Sequence, residues 1–176
     1  GLENKLTKDK TEIENADAII LPGVGAFPSA MKMLDSTGLV ETLKEQAKKK
    51  PFLGICLGMQ MLFEKGYEFE EADGLGLIKG KVDKIVAPGM IIPHMGWNKL
   101  SLKNASPLLD EAEGEFVYFV HSFHCEPEDK SLITAVCDYG MEVTASVGKG
   151  NVQAFQFHPE KSSRAGLALL KKFVEM

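Results

Sequence analysis

The sequence predicts an α/β fold in which the sheet begins parallel and continues as an antiparallel or mixed section. Strand-like and helix-like stretches alternate through the first third of the chain, as they do in parallel sheets. From about Gly76 onward, short strand-like runs follow one another with turn residues between them. The length of 176 residues, of which 44% are hydrophobic, suits one domain over residues 1–176 with a sizeable core.

The hydrophobic pattern, together with the residues at each end of it, predicts the first strand and the first helix. Residues 18–21 (Ala-Ile-Ile-Leu) predict a buried parallel strand, and residues 22–27 predict the loop after it. Ser36 or Thr37 is the candidate N-cap of the helix that follows. Four apolar residues at helical spacing mark this helix: Leu39, Val40, Leu43 and Ala47.

Strand-like runs dominate the remainder of the chain. Residues 52–55 predict the second parallel strand, residues 57–65 predict a helix, and residues 5–7 predict an edge strand. Six further strands are predicted, over 77–85, 98–102, 115–121, 132–137, 143–147 and 152–157. A closing amphipathic helix starts at about Ser163, and three apolar residues mark its core-facing side: Leu167, Leu170 and Val174.

The charge pattern argues against nucleic-acid and membrane partners. A net charge of −5 is poorly suited to nonspecific binding of a phosphate backbone. The single arginine, Arg164, makes it doubtful that this chain alone holds a multiply phosphorylated substrate, because arginine is the usual bidentate phosphate ligand. No apolar run approaches the ~18 residues of a membrane span.

The cysteines indicate a reducing compartment. Cys56, Cys125 and Cys137 are odd in number, widely spaced and without a Cys-x-x-Cys pair. Such a set is typical of an intracellular protein with free thiols, so we expect a cytoplasmic location.

Residues 54–58 (Gly-Ile-Cys-Leu-Gly) are the sharpest chemical feature, and we call them the cysteine elbow. They have the form of a nucleophile elbow with Cys56 in the place of serine. We expect the helix N-terminus to lower the pKa of the thiol, and the Leu57 N–H to donate to an oxyanion. The alternative from these five residues alone is a buried structural cysteine beside packing glycines.

Two other segments supply what a cysteine nucleophile requires. His158 and Glu160 follow the last predicted strand, two residues apart, and suit the base and its orienting group. Residues 22–25 (Pro-Gly-Val-Gly) follow the first strand, and their N–H groups suit an oxyanion hole. Because the carboxyl ends of parallel strands meet in one crevice, these segments are expected to converge. A polar strand end and a plain turn are the respective alternatives.

Residues 118–125 contain clustered polar side chains. His121, His124 and Cys125 could suggest a metal site, but no second ligand pair at zinc spacing accompanies them, and no metal is predicted. On one strand, His121 and His124 would face opposite sides. Contacts from His121 and Ser122 to a small substrate are the favoured interpretation.

Together these motifs resemble the class I (triad-type) glutamine amidotransferases. The stretch 54–60 (Gly-Ile-Cys-Leu-Gly-Met-Gln) and the triplet 158–160 (His-Pro-Glu) carry that resemblance. Two further stretches, 21–27 and 93–98, are similar to the glutaminase subunits of imidazole glycerol phosphate synthase. The resemblance covers nearly the whole chain, and it implies a three-layer, flavodoxin-like mixed sheet with an added antiparallel section.

The resemblance also implies a role for individual residues. Cys56 would attack the side-chain amide of glutamine, His158 would transfer the proton, and Glu160 would hold the imidazole. Four residues would form the oxyanion hole, namely Gly23, Val24, Gly25 and Leu57. Three would contact glutamine, namely Gln60, His121 and Ser122. Trp97 and Asn98 would lie toward a partner subunit.

The partner implied by the resemblance is a cyclase subunit with a (β/α)8-barrel fold. The two subunits would form a heterodimer in which ammonia passes through an internal tunnel to the cyclase. That subunit would make imidazole glycerol phosphate and an aminoimidazole carboxamide ribotide in histidine biosynthesis. No cofactor is implied.

The resemblance departs from the family pattern at the N-terminus. Family members begin with a strand, a turn similar to Asp-Tyr-Gly and a first helix, and this sequence starts after them. From this resemblance we expect that about 25 residues of the family pattern, one strand and one helix, are not represented in the sequence. Because that strand would lie between the strands at 5–7 and 18–21, we expect a gap in the sheet.

Three alternative functions fit the same residues less well. One is an amidotransferase subunit that serves another acceptor, such as a sugar-modifying pathway. A second is a noncatalytic partner-binding module with a relict triad, and a third is a thiol hydrolase of the broader cysteine-elbow kind. The intact set of Cys56, His158, Glu160 and Gln60 argues against a relict.

Overall fold

A computed structural model describes residues 3–176. Its five α-helices are Lys10–Asn15 (α1), Phe27–Ser36 (α2), Val40–Gln46 (α3), Leu57–Gln60 (α4) and Ser163–Val174 (α5). Its first six strands are Ile19–Gly23 (β1), Phe52–Cys56 (β2), Phe63–Gly66 (β3), Ala72–Asp73 (β4), Ile78–Lys84 (β5) and His94–Lys99 (β6). The other six are Ser101–Leu102 (β7), Phe116–His121 (β8), Phe123–Pro127 (β9), Ile133–Asp138 (β10), Glu142–Lys149 (β11) and Val152–Phe155 (β12).

The main sheet has six strands in the order β1-β2-β12-β11-β10-β7. β1, β2 and β12 are parallel, whereas β11, β10 and β7 continue the sheet in antiparallel pairs. The predicted change from a parallel to an antiparallel section is therefore confirmed. Two smaller sheets complete the fold: a four-stranded sheet in the order β4-β3-β5-β9 and the antiparallel pair of β6 and β8.

The core lies on both faces of the main sheet. Successive residues of β2 point to opposite faces, so that Phe52 belongs to one buried cluster and Leu53 to the other. The first cluster includes residues of α1–α3 and of the four-stranded sheet, such as Leu43 and Phe63. The second includes residues of β8 and α5, such as Phe119. This arrangement gives the three layers that the sequence predicts.

Two sequence-based expectations about residues 36–65 are wrong. Residues 57–65 form only the single turn α4 before the chain becomes β3, which pairs with β5. The helix expected from Leu39, Val40, Leu43 and Ala47 is present as α3. Its N-cap, however, is Leu39 without a side-chain hydrogen bond, and not Ser36 or Thr37. The helix α2 precedes it. Gly38 separates these two helices with a φ of +69°, which glycine adopts without strain.

The core-facing side of α5 also differs from the expectation. Its buried residues are Gly166, Leu169 and Phe173. Of the three residues predicted to face the core, Leu170 is half-buried against the second cluster, whereas Leu167 and Val174 are exposed. A Cβ atom on Gly166 would lie 1.9 Å from the Pro159 carbonyl oxygen, so this glycine sets which side of the helix meets the protein.

Residues 5–7 do not form a strand. Within residues 3–176, the sheet therefore runs without a gap from β1 at its edge. None of the helices in the same range has both the length and the apolar character that a membrane span requires.

Candidate active site

Cys56 sits at a strained turn between β2 and α4. Its backbone has φ 54° and ψ −112°, in a region that non-glycine residues rarely adopt. The glycines on either side allow the turn. A Cβ atom on Gly58 would lie 1.8 Å from the Leu21 carbonyl oxygen, and one on Gly54 would lie 2.9 Å from the Gly58 carbonyl oxygen. The cysteine elbow therefore has the geometry that its sequence predicts.

The thiol of Cys56 is not the preformed thiolate that we expected. Cys56 is 7% exposed, and burial raises the pKa of its thiol to about 11. The Leu57 N–H and the Gln156 amide contact the sulfur and act in the opposite direction, but more weakly. A helix of four residues also supplies little dipole. A base is therefore needed to remove the proton.

His158 and Glu160 form an oriented pair. Nδ1 of His158 lies 2.8 Å from Oε1 of Glu160, so this nitrogen carries the hydrogen and donates to the carboxylate. Nε2 is buried and has no hydrogen-bond partner among the described residues. A neutral imidazole held in this tautomer presents a free lone pair, which is what a general base requires.

The parallel strands bring the cysteine elbow and this pair to one edge. β2 and β12 are neighbours in register, with Ile55 opposite Phe155. Cys56 therefore ends its strand beside the segment that leads to His158. The His158 N–H donates to the Tyr118 carbonyl oxygen at 2.9 Å, which anchors that segment to β8.

The Pro-Gly-Val-Gly segment lies at the same edge. Gly23 is the register partner of Cys56 across the β1–β2 pair. Val24 is 82% exposed, and Gly25 has a φ of +99° with open space around its Cα. The structure thus brings Gly23 and Leu57 next to Cys56, and it carries Val24 and Gly25 onto the adjoining surface.

Gln60 is buried, and its amide bonds to the protein. Its Nε2 donates to the Phe123 carbonyl oxygen at 3.2 Å and to Oε1 of Gln156 at 3.1 Å. Nε2 of Gln156 in turn lies 3.8 Å from Sγ of Cys56. Sequence reasoning overlooked Gln156, although a lone glutamine between two buried phenylalanines was a usable signal.

His121 is also buried and bonded on both sides. Its Nδ1 lies 2.7 Å from the Phe123 carbonyl oxygen, and its Nε2 lies 3.0 Å from Nδ1 of His94. Ser122 is half-buried between β8 and β9. The strand predicted over 115–121 is confirmed as β8. After Ser122 the chain continues as β9, a strand with a different partner that the sequence did not predict.

No metal centre is evident in residues 3–176, since no group of three or more His, Cys, Asp or Glu side chains is placed to hold an ion. His124 instead faces Glu126, with 3.5 Å between Nε2 and Oε1.

Trp97 and Asn98 lie on β6, close to the site. Trp97 is 52% exposed and meets the Tyr118 ring edge to face. Asn98 points the other way, and its Nδ2 donates to the Asp138 carbonyl oxygen at 2.8 Å and contacts Nε2 of His94 at 3.3 Å. The two neighbours thus have different environments: Trp97 is exposed, whereas Asn98 is half-buried and hydrogen-bonded to the protein.

Solved structures of similar shape support the fold. A crystal structure titled as a glutamine amidotransferase matches with a TM-score of 0.75 and 19% identity, over 99% of this chain and 86% of that one. A glutamine amidotransferase from Thermotoga maritima matches with a TM-score of 0.62 and 18% identity, over 99% of this chain and 65% of that one.

Sequence comparisons identify the family. The model of the class-I glutamine amidotransferase family matches residues 2–176. The imidazole glycerol phosphate synthase subunit HisH of Listeria monocytogenes is 50% identical over 178 residues, with 100% of this chain and 85% of that protein covered. The HisH subunit of Aquifex aeolicus is 50% identical over 171 residues, with 96% and 82% covered. The chain therefore belongs to the class-I glutamine amidotransferases, within the group that contains the HisH subunits.

Proposed function

We propose that this chain is the glutaminase subunit of an imidazole glycerol phosphate synthase. It hydrolyses glutamine to glutamate and ammonia at Cys56, and a cyclase subunit of (β/α)8-barrel fold consumes the ammonia in histidine biosynthesis. The roughly 50% identity to HisH subunits over the full chain supports this function. We further propose that residues 1–176 form one amidotransferase domain and that the protein is cytoplasmic, in keeping with its three free cysteines.

The proposed mechanism uses the triad in two half-reactions. Nε2 of His158 takes the thiol proton as Sγ of Cys56 bonds to the amide carbon of glutamine. The N–H of Leu57 and the Gly23–Gly25 loop stabilise the oxyanion. His158 returns the proton to the nitrogen, the C–N bond breaks, and ammonia leaves a thioester. His158 then removes a proton from water, which attacks the thioester, and the returned proton releases glutamate and the thiol.

The observation that carries this proposal is the state of His158. Its Nδ1 is fixed on Glu160, while its buried Nε2 has no hydrogen-bond partner within residues 3–176. An unpaired buried polar atom costs roughly 1–3 kcal/mol. Nδ1 of His124 is also buried without a partner among residues 3–176, so His158 is distinguished by its place beside the strand end that carries Cys56. We infer that Nε2 of His158 stays unpaired because it serves as the base for Cys56.

The partner surface is proposed on the outer face of the β6–β8 pair. Alternation along the two strands leaves apolar and aromatic side chains exposed or half-buried on that face, namely Met95, Trp97, Phe116, Tyr118 and Val120. Contiguous exposed apolar residues mark protein interaction sites. The same β8 strand accepts the His158 N–H, so a cyclase docked there would adjoin the triad.

A coupled assay tests the proposal. Glutamate release is measured for the chain alone, with recombinant cyclase subunit, and with cyclase plus its ribotide ligand. We expect the rate to rise on addition of cyclase and ligand, and to disappear in Cys56→Ala, with Cys137→Ala as the matched buried-cysteine control. A rate that is independent of the cyclase would overturn the subunit assignment, and an active Cys56→Ala protein would overturn the nucleophile.

A further inference from the structure

Gln156 is the only side-chain amide among the described residues that contacts the nucleophile. Its side chain is completely buried, and Nε2 donates to Sγ of Cys56 at 3.8 Å, within the range of contacts to sulfur. Oε1 accepts a hydrogen bond from Nε2 of Gln60 at 3.1 Å. Because the oxygen is occupied by a donor, the NH2 group of Gln156 must face the sulfur.

Gln60 is itself hydrogen-bonded to the Phe123 carbonyl oxygen, which accepts from a second donor as well. The Phe123 carbonyl oxygen accepts from Nε2 of Gln60 at 3.2 Å and from Nδ1 of His121 at 2.7 Å. Both hydrogens of the Gln60 amide are thereby used within the protein. The position of this carbonyl consequently sets where the Gln60 amide, and then the Gln156 amide, can lie.

The two histidines behind this carbonyl have defined tautomers. A carbonyl only accepts, so Nδ1 of His121 carries its hydrogen, and Nε2 accepts from Nδ1 of His94 at 3.0 Å. Nε2 of His94 then accepts from Nδ2 of Asn98 at 3.3 Å. The three hydrogen bonds that connect Asn98, His94, His121 and the Phe123 carbonyl all point in the same direction, toward that carbonyl.

His94 is also held by stacking. Its ring lies between Tyr139, at a centroid distance of 3.9 Å, and Phe119, at 4.6 Å. Asn98 is fixed by the Asp138 carbonyl oxygen and follows the exposed Trp97. The series therefore begins on β6 beside the proposed partner surface and ends at the nucleophile.

We propose that Gln156 is a positioning residue for the Cys56 thiol. Five groups hold its amide in place, in the order Gln60, the Phe123 carbonyl, His121, His94 and Asn98. The proposal rests on the proposed glutaminase function only for its effect on turnover. The contact to the sulfur is a property of the chain and is measurable without glutamine.

The first test replaces the amide and reads the thiol directly. Gln156→Met keeps the length but loses the donor. Gln153→Met, three residues earlier on β12, is the matched control for losing a buried amide. The rate of Cys56 alkylation by iodoacetamide at pH 9 is followed by peptide mass mapping, on the full chain alone and with cyclase. We expect Gln156→Met to slow alkylation roughly three- to tenfold, since loss of a donor disfavours the thiolate. Gln153→Met should stay within twofold of the parent.

Turnover provides the second readout. In the complex with cyclase, Gln156→Met should lower kcat for glutamine hydrolysis roughly tenfold while KM changes less than twofold. If Gln156→Met fails to fold in a urea titration, Gln156→Glu replaces it. That variant keeps the shape but puts an acceptor against the sulfur, and it should slow alkylation at least as strongly. Alkylation within twofold of the parent in a folded Gln156 variant would overturn the proposal.

The histidine series is tested by combining variants. His94→Phe retains an aromatic ring for the stack but removes both hydrogen bonds, and it should slow Cys56 alkylation in the same direction as Gln156→Met. Because both act through one amide, the double variant should be no slower than Gln156→Met alone. If the two substitutions slow alkylation independently, so that their effects multiply in the double variant, the histidines do not act through Gln156. A parent chain without glutaminase activity would refute the proposed function and leave the alkylation result interpretable.

Discussion

Gly58 lies so close to Leu21 that a methyl group on the glycine would sit 1.8 Å from the leucine carbonyl oxygen. Gly58→Ala must therefore push α4 away from β1. We expect a loss of about 1–3 kcal/mol or more in the free energy of unfolding, measured by urea denaturation. Gly76→Ala is the control, because Gly76 has a positive φ but open space around it, and it should cost only about 1–2 kcal/mol of backbone strain. The prediction is contradicted if the m-values are similar and Gly58→Ala loses less free energy of unfolding than Gly76→Ala. The elbow would then not be sterically constrained.

The Glu160 carboxylate should affect turnover rather than substrate binding. Glu160→Gln replaces the acceptor for the His158 Nδ1 hydrogen by an amide that can turn either group toward the ring. We expect kcat to fall by roughly 10- to 1,000-fold with KM nearly constant, in steady-state glutaminase assays with cyclase. Glu142→Gln, which breaks a surface ion pair with Lys103, should leave kcat unchanged. Equal behaviour of the two variants would contradict the assigned role.

Stability should fall in mildly acidic solution because of buried neutral histidines. Burial lowers the pKa of His94 to about 4 and that of His121 to about 3, below their ordinary value near 6.5. Their contribution to stability is complete above pH 6.5 and is lost as the pH falls toward these values. Urea titrations between pH 7 and 4.5 should show a steady decrease, and the decrease should be smaller in His94→Phe. A flat profile across this window would exclude the histidines as its source.

The orientation of α5 gives a stability prediction with a control on the same helix. Leu169 is 4% exposed and belongs to the second buried cluster, whereas Leu167 is 61% exposed. Leu169→Ala should lower the free energy of unfolding by about 2–4 kcal/mol, and Leu167→Ala by less than about 0.5 kcal/mol. The reverse order in thermal or urea unfolding would mean that the face chosen from sequence was correct after all.

The geometry around Cys56 and His158 could be predicted from the sequence better than the secondary structure next to it. The glycines around Cys56 and the His-x-Glu spacing are fixed by short-range geometry, so their pattern is visible in the sequence. Residues 57–65 were assigned wrongly because an apolar segment of that length fits a helix or a strand. Pairing of Phe63–Gly66 with β5, a contact between separate segments, decides the outcome.

The other features that the sequence did not predict also depend on contacts between segments that are distant in sequence or on burial. The side of α5 that faces the core is chosen by the close approach of Gly166 to Pro159, although apolar residues occur on both sides of the helix. The raised pKa of the Cys56 thiol follows from its burial, and burial cannot be predicted from a short sequence motif. The partnership of Gln60 with Gln156 joins residues 96 positions apart.

The burial of all three cysteines should make the protein resistant to oxidation. Cys56, Cys125 and Cys137 are free and buried, and each has a raised pKa, so the chain holds them as neutral thiols. Peroxides react with thiolates, and intermolecular disulfides need accessible sulfur. The resting chain is thus shielded from oxidative damage. Under the proposed mechanism, Cys56 becomes vulnerable only when His158 has taken its proton.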